Sequence, residues 1–220
     1  MRYDFHTHTK YSSDGWIEPK TLVKTGIKKG LSGVGVTDHN TIKGGLKAKE
    51  FENGNFEVVI GSEIVTERGE ITGLFLTEEI HSNTFFEVVD EIKEQNGVVV
   101  LPHPFDDTRG NGLNPTNEDA KLVDYIETFN SRCLRGSFND KALSYAGKHD
   151  LKKIAGSDAH FSHEIGKAGV NTSTDDLYET FQRGNFKIFN ENSLIINSPI
   201  INLGLTKVLK LWRKINFGSY

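Results

Sequence analysis

The sequence predicts an α/β fold, and within that class a distorted or seven-stranded barrel. Short apolar runs alternate with amphipathic helical segments from one end of the chain to the other, the pattern of a parallel sheet covered by helices. The polar residues richest in chemistry fall at or just past the C-terminal ends of the expected strands: His6 and His8, Asp38 and His39, Glu63, His103, Glu127 and Asn130, Asp158 and His160. In a barrel those ends converge on one mouth, whereas in an open sheet they spread along an edge. The 220 residues fall short of the roughly 250 usual for an eightfold barrel, which favours the smaller ring.

Taken in order, "RYDFH" reads as a strand and "EPKTLVKTGIKKG" as a helix with Pro19 in its first turn and Gly30 at its end. "SGVGVTDH" is the next strand, followed by a short polar segment and then "FEVVIGSEIVT", rich in β-branched residues. "ITGLFL" is a fourth strand with no helix before it, so Glu67–Glu70 is expected to make a tight turn. "NTFFEVVDEIKEQNG" is a helix capped by Asn83, with Phe86, Val89 and Ile92 on one face and Gly97 as its stop. "VVVLPHP", "VDYIETFN" and "LKKIAGSDAH" complete seven strands, with helices "SFNDKALSYAGKH" and "TDDLYETFQRG" around them.

Composition bounds the function. A hydrophobic fraction of 36% with mean hydropathy −0.44 suits one soluble domain with a sizeable core. No run is long enough for a membrane-spanning helix, and the start lacks the apolar stretch of a signal peptide, so a cytoplasmic location is expected. The single cysteine, Cys133, excludes an intramolecular disulfide framework and reads as an inert thiol. The net charge of −4 is unevenly spread: after Glu191 there are only the basic residues Lys207, Lys210, Arg213 and Lys214, so the remainder stands at about −8. Such a body is a poor general nucleic-acid binder. The chain divides into a barrel domain over 1–195 and a basic amphipathic tail over 196–220.

Residues i and i+2 of a strand share a face, so His6 and His8 can grip one ion together, and Asp158 with His160 in "GSDAH" repeats the arrangement. His39 in "TDHN", Glu63 in "GSE" and His103 in "PHP" lie between them, and Pro102 and Pro104 hold His103 rigidly. An isolated His-x-His is more often a surface pair. The joint placement of five of the eight histidines at strand ends is what carries the metal reading. His81, His149 and His163 take structural readings, with His163 near the mouth.

The ordered motifs "DFHTHTKYSSDG", "TDHN", "GSE", "PHP" and "GSDAH" resemble those of the polymerase and histidinol phosphatase (PHP) domain family, among the amidohydrolase-like barrels, over roughly residues 2–190. The resemblance implies a distorted (β/α)7 TIM-like barrel holding two or three divalent metal ions, usually for phosphoester hydrolysis. It implies His6, His8, Asp14, His39, Glu63 (bridging), His103, Asp158 and His160 as metal ligands. Two departures stand out: "GEITG" puts Glu70 where many members have a histidine, as a substitute carboxylate or a turn residue, and no histidine follows "ETFNSR".

Imidazoles mixed with carboxylates suit Zn, Mn or Fe(II). Three ligand carboxylates against two divalent ions leave a local charge of +1, which attracts phosphate. The expected activity is therefore that of a metal-dependent phosphoesterase acting on a small phosphate ester or nucleotide, with a metal-bound hydroxide as nucleophile. Asp158 or His160 would move the proton, and Arg109 and Arg132 would hold phosphate oxygens, with Lys167 a weaker third. Two alternatives are an exonuclease-like phosphodiesterase acting on nucleic-acid ends and a non-catalytic, metal-stabilised module binding a phospho-ligand or partner. The first would want a basic, aromatic-lined groove, and "HPFDDTRGNGLN" offers one arginine and one aromatic. In the tail, Leu205, Val208, Leu209, Trp212 and Ile215 share one helical face and Lys207, Lys210 and Lys214 another. That face is expected to dock on the barrel, with a partner or an anionic membrane surface as the other readings.

Overall fold

In the structure, a computed structural model describing residues 1–173, 176–190 and 199–217, the apolar runs form the seven expected strands. They are β1 (Arg2–Thr7), β2 (Gly33–Val36), β3 (Glu57–Thr66), β4 (Gly69–Leu74), β5 (Val98–Leu101), β6 (Tyr125–Asn130) and β7 (Lys152–Gly156). Two further strands, β8 (Ala168–Asn171) and β9 (Lys187–Asn190), extend the sheet, whose order is β7-β6-β5-β4-β3-β2-β1-β8-β9. The helices are α1 (Pro19–Lys28), α2 (Lys43–Lys49), α3 (Phe85–Glu94), α4 (Gly136–His149), α5 (Leu177–Arg183) and α6 (Pro199–Phe217).

The ring nearly closes between its ends. Thr7 bridges Ala159 just past β7, the His8 N–H donating to the Ala159 carbonyl at 2.8 Å and the Ala159 N–H to the His6 carbonyl at 3.3 Å. At the opposite end β8 takes over as neighbour of β1, pairing Val170 and Asn171 with Tyr3 and Arg2. Tyr3, Phe5, Val59, Leu74, Val98, Val100, Tyr125 and Ile154 form one buried cluster with Leu177 and Phe181 of α5. Side chains from strands all round a ring meet only inside it, so this cluster is the barrel's filling, stoppered by α5. The outer faces carry two more clusters, one under α3 and α4 and one under α1 and α2.

Three expectations are corrected. The sheet is not wholly parallel: β4 runs antiparallel to β3 and β5, because only the tight turn at Glu67 and Arg68 separates it from β3, too few residues for a crossover. β8 and β9 are also antiparallel additions, whose sequences AGVN and KIFN carry no continuous apolar run to mark them. The polar segment after β2 contains α2, whose Gly44 lies where a Cβ would strike the Asp38 carboxylate. In α3 the cap falls at Thr84, and the buried face is Phe85, Val88, Val89 and Ile92, leaving Phe86 exposed.

The expected domain boundary at 195/196 lies outside the described residues. Beyond it α6 crosses the barrel mouth with Gly204, Thr206, Lys207 and Lys210 lining the cavity; of the expected docking face Leu205, Val208 and Trp212 are exposed, Leu209 is half-buried, and the Ile215 side chain lies outside the described residues. This reverses the expected docking of the apolar face. The mouth presents carboxylates, arginines and imidazoles, which pair with hydroxyl and ammonium groups rather than with leucine.

Closure of the ring depends on Gly156, where an added Cβ would stand 2.3 Å from the His6 Cβ. Gly156→Ala is expected to lower stability by about 1–3 kcal/mol through overpacking. Gly147→Ala, at a helical position with open space around it, should raise stability by about 0.5–1 kcal/mol. Urea denaturation of both variants checks the contrast.

Candidate metal centre

The first strand brings its histidines to the mouth through a register shift between Asp4 and Thr7, a local irregularity of the kind that re-aims side chains. Asp4 itself stays beneath the site. Its carboxylate accepts hydrogen bonds from the Ser157 N–H at 2.9 Å, the Gly166 N–H at 2.8 Å, the Ser157 hydroxyl and, at 3.4 Å, the His6 N–H. It thereby ties β1 to the residue before Asp158. Asp38 does the same between β2 and the loop after β1, receiving the Thr9 N–H and hydroxyl at 2.5 and 2.6 Å. Burial pushes both carboxyls up to about 6 against these hydrogen bonds.

Glu63, on β3, is the centre of the cluster. Its Oε1 lies 2.8 Å from His103 Nε2 and 3.5 Å from His6 Nε2; its Oε2 lies 3.4 Å from both His8 Nε2 and His39 Nδ1. Asp158 Oδ1 stands 3.3 Å from His8 Nε2, 3.4 Å from His160 Nδ1 and 3.7 Å from His6 Nε2. Asp14 meets His39 Nε2 at 3.3 Å and His160 Nε2 at 3.4 Å. All eight side chains singled out as candidate ligands are thus brought together. Donor atoms fall into four overlapping groups: His8, Asp14, His39 and His160; His6, His8 and Asp158; His6, Glu63 and His103; and His39, Glu63 and Glu70.

Several of these atoms suit an ion better than one another. His6 Nε2, His8 Nε2, His39 Nδ1 and Asp158 Oδ1 are buried without a hydrogen-bond partner, a costly state for polar atoms. Most of the contacts at 3.3 Å and beyond exceed hydrogen-bond length. They match the roughly 3.4 Å that separates two donors each about 2.1 Å from a tetrahedral ion. The donor set fits a divalent transition metal.

Charge within the cluster is mutually compensated. Burial drives the Asp14, Glu63 and Asp158 carboxyls up, but neighbouring imidazoles (and, for Asp158, the Arg109 guanidinium) outweigh it and hold all three below their usual range. Burial pulls the His39 imidazole down, yet Asp14, Glu63 and Glu70 hold it up at about 10. His8 goes the other way, to about 3, through burial and the charge of His160 and His39. Around them, Glu127 orients the ligands: Oε1 meets His6 Nδ1 at 3.1 Å, while Oε2 accepts the His103 N–H at 2.7 Å and the Asn130 amide at 2.9 Å. Ring nitrogens turned away from a metal are held by such partners. His103 and Asp158 both adopt positive φ, 26° and 55°, a strained state that the flanking prolines and hydrogen bonds sustain.

The two arginines are placed differently. Arg109 enters the cavity, its guanidinium 2.7 Å from Asp158 Oδ2, 3.0 Å from Asp106 Oδ2 and 3.4 Å from Asn130 Oδ1. Arg132 is buried in the wall, donating to the Asp158 carbonyl at 3.3 Å and to the Thr206 hydroxyl at 2.9 Å. Lys167 and His163 do not line the cavity. His149 packs on Tyr145 at the end of α4, and the Cys133 thiol is pushed up by burial, as befits an inert group.

Sequence reasoning left Glu70 open, placed Glu127 at a strand end without giving it a role, and read Lys207 and Lys210 as the outer face of the tail helix. Glu70 lies 3.9 Å from His39 Nδ1 and 3.7 Å from His103 Nε2, because antiparallel β4 starts at the mouth and carries it there. It acts in the cluster, not as a turn residue. Burial and the Glu63 charge raise its carboxyl.

A nearly closed α/β barrel with a buried histidine–carboxylate cluster at the strand C-terminal ends defines the class of metal-dependent barrel proteins. The chain belongs to the PHP domain family, whose profile matches residues 4–194. It is 40% identical over 180 residues to one uncharacterized protein of Methanocaldococcus jannaschii, covering 79% of this chain and 71% of that one. A second uncharacterized protein of the same organism is 42% identical over 156 residues, covering 66% of this chain and 90% of its own length. Among solved structures, a Bacteroides vulgatus two-domain protein described as containing a predicted PHP-like metal-dependent phosphoesterase superposes with TM-score 0.71 at 18% identity. The match covers 87% of this chain and 65% of that one, a likeness of fold.

Glu70→Gln is expected to lower the Mn²⁺ content of the protein at limiting metal, with affinity falling by about tenfold or more, as read by elemental analysis after dialysis. A turn residue would leave metal content unchanged.

Proposed function

We propose that the chain is a metal-dependent phosphoesterase that hydrolyses a small phosphate ester, using two or three divalent ions of the Zn, Mn or Fe type. The observation that carries this reading is Glu63, a buried carboxylate with four imidazoles around its two oxygens. One carboxylate shared by two donor groups is the arrangement that holds two ions close together. When bound, the ions supply Lewis acidity toward a phosphoryl oxygen and lower the pKa of water toward neutrality.

The chain's own groups do the rest. Glu63 and Asp158 hold the cluster from below, and Glu127 fixes the His6 ring and the His103 backbone. His160 lines the cavity with Nε2 toward Asp14 and Nδ1 on the Asp158 carbonyl, so it would serve as a ligand or, where no ion takes Nε2, carry a proton to the departing oxygen. Arg109 also lines the cavity and offers a planar fork beside Asp158 for phosphate oxygens. Thr108, Gly110 and Asn111, from the loop carrying Arg109, and Leu134 shape the space above. The cavity measures about 370 Å³, at the small-molecule end of the roughly 300–1,000 Å³ range of ligand sites. None of the described helices is long and apolar enough to cross a membrane.

The Mn²⁺-loaded protein is expected to hydrolyse 4-nitrophenyl phosphate, and His103→Ala to reduce kcat/KM by about 100-fold or more. Chelation should abolish turnover and readdition of Mn²⁺ restore it. A fully loaded protein without turnover on a broad phosphoester panel contradicts the proposal and favours a binding module.

A further inference from the structure

The family profile ends at residue 194, yet the cavity over the metal cluster is not complete without α6, which supplies Gly204, Thr206, Lys207 and Lys210 to its lining. The helix is fixed in register by a buried contact. Thr206 Oγ1 accepts a hydrogen bond from the Arg132 guanidinium at 2.9 Å, and Arg132 is itself anchored on the Asp158 carbonyl. Residues four apart lie on one helical face, so a pinned Thr206 brings Lys210 over the mouth. Its Nζ stands 3.8 Å from Asp14 Oδ2, a loose ion pair that holds the ammonium at the rim of the cluster.

The charge balance gives these lysines a role. With Glu70 in the cluster, four carboxylates take part in the donor groups, and two divalent ions would only neutralise them. The Arg109 charge is taken up by Asp158 and Asp106, and Arg132 is committed to the wall and to Thr206. A phosphate monoester is largely dianionic at neutral pH, and beside the Arg109 fork the cations lining the cavity that are not committed to its wall are Lys207 and Lys210.

We infer that α6 is the roof of the substrate site, with Lys210, assisted by Lys207, binding the non-bridging oxygens of a small, dianionic phosphate monoester. The inference rests on the phosphoesterase reading and narrows it to a small dianionic ester met by the lysines of α6. Lys210 is a binding residue here, so its loss weakens capture of the anion more than it slows the chemical step.

The test is binding of inorganic phosphate to the full-length, Mn²⁺-loaded protein by calorimetry, together with kcat and KM on 4-nitrophenyl phosphate. Lys210→Ala is expected to weaken phosphate binding and raise KM by about tenfold, with kcat within about threefold, as loss of one charge-assisted contact predicts. Lys210→Arg should recover most of that loss, Lys207→Ala should show a smaller effect, and Mn²⁺ content should be the same throughout. Lys214→Ala, on the same helix but not lining the cavity, reports the effect of net charge alone. The inference is overturned if Lys210→Ala binds phosphate like the parent, if Lys214→Ala loses as much, or if the effect of Lys210→Ala is a rise in metal affinity. A loaded parent that neither binds phosphate nor turns over ester overturns the phosphoesterase reading as well, which separates the two failures.

Discussion

Glu63 is 1% exposed, and an ionised carboxylate in such a place is prohibitively costly unless cations or strong donors surround it. The architecture around it answers that demand. Strands β1, β2 and β5 each end by directing an imidazole at its two oxygens, and the ring must close tightly for those imidazoles to arrive together. Removing one partner would leave the others as uncompensated buried charge, so the cluster stands or falls as a unit. The second circle of carboxylates, Asp4, Asp38 and Glu127, serves the same end by gripping backbone N–H groups of the segments that carry the ligands.

Rigidity at the cluster coexists with local strain. His103 and Asp158 sit in left-handed backbone conformations that unstrained residues of their type seldom adopt. Each is over-determined: the His103 N–H is bound by Glu127, and Asp158 is held by Arg109 while Arg132 takes its carbonyl. Backbone strain kept in this way turns a side chain toward a shared centre that a relaxed strand end would miss.

Much of this was legible from the chain alone because the strand period is short and strict. His6 and His8 are two apart at a strand end and therefore point together, and strand C-terminal ends converge in any barrel; Asp158 and His160 lie past the end of β7 and meet through the left-handed turn at Asp158 rather than through strand period. Glu70 was not legible to the same degree: the tight turn before β4 was expected, but that Glu70 belongs to the strand rather than to the turn, and so faces the cluster, depends on where the turn ends. Strands β8 and β9 were missed because AGVN and KIFN lack the continuous apolar, β-branched run that marks the equally short β5. The α6 contribution was hidden for a different reason: its amphipathic pattern is real, but which face turns inward is decided by the polarity of the surface beneath it. A mouth lined with acids and arginines selects the threonine–lysine side, and no property of the helix alone says so.

The reversed strand has a consequence for how such a barrel diversifies. In a uniformly parallel ring, the rim around the mouth is built entirely from connections that run from a strand to a helix. Here the turn at Glu67 and Arg68 links two strands directly on that rim, between Glu63 and Glu70. Residues added there would enlarge the wall of the pocket without shifting a helix or altering the register of the ligands. The hairpin is thus a point at which the shape of the pocket can be remodelled independently of the metal cluster beneath it.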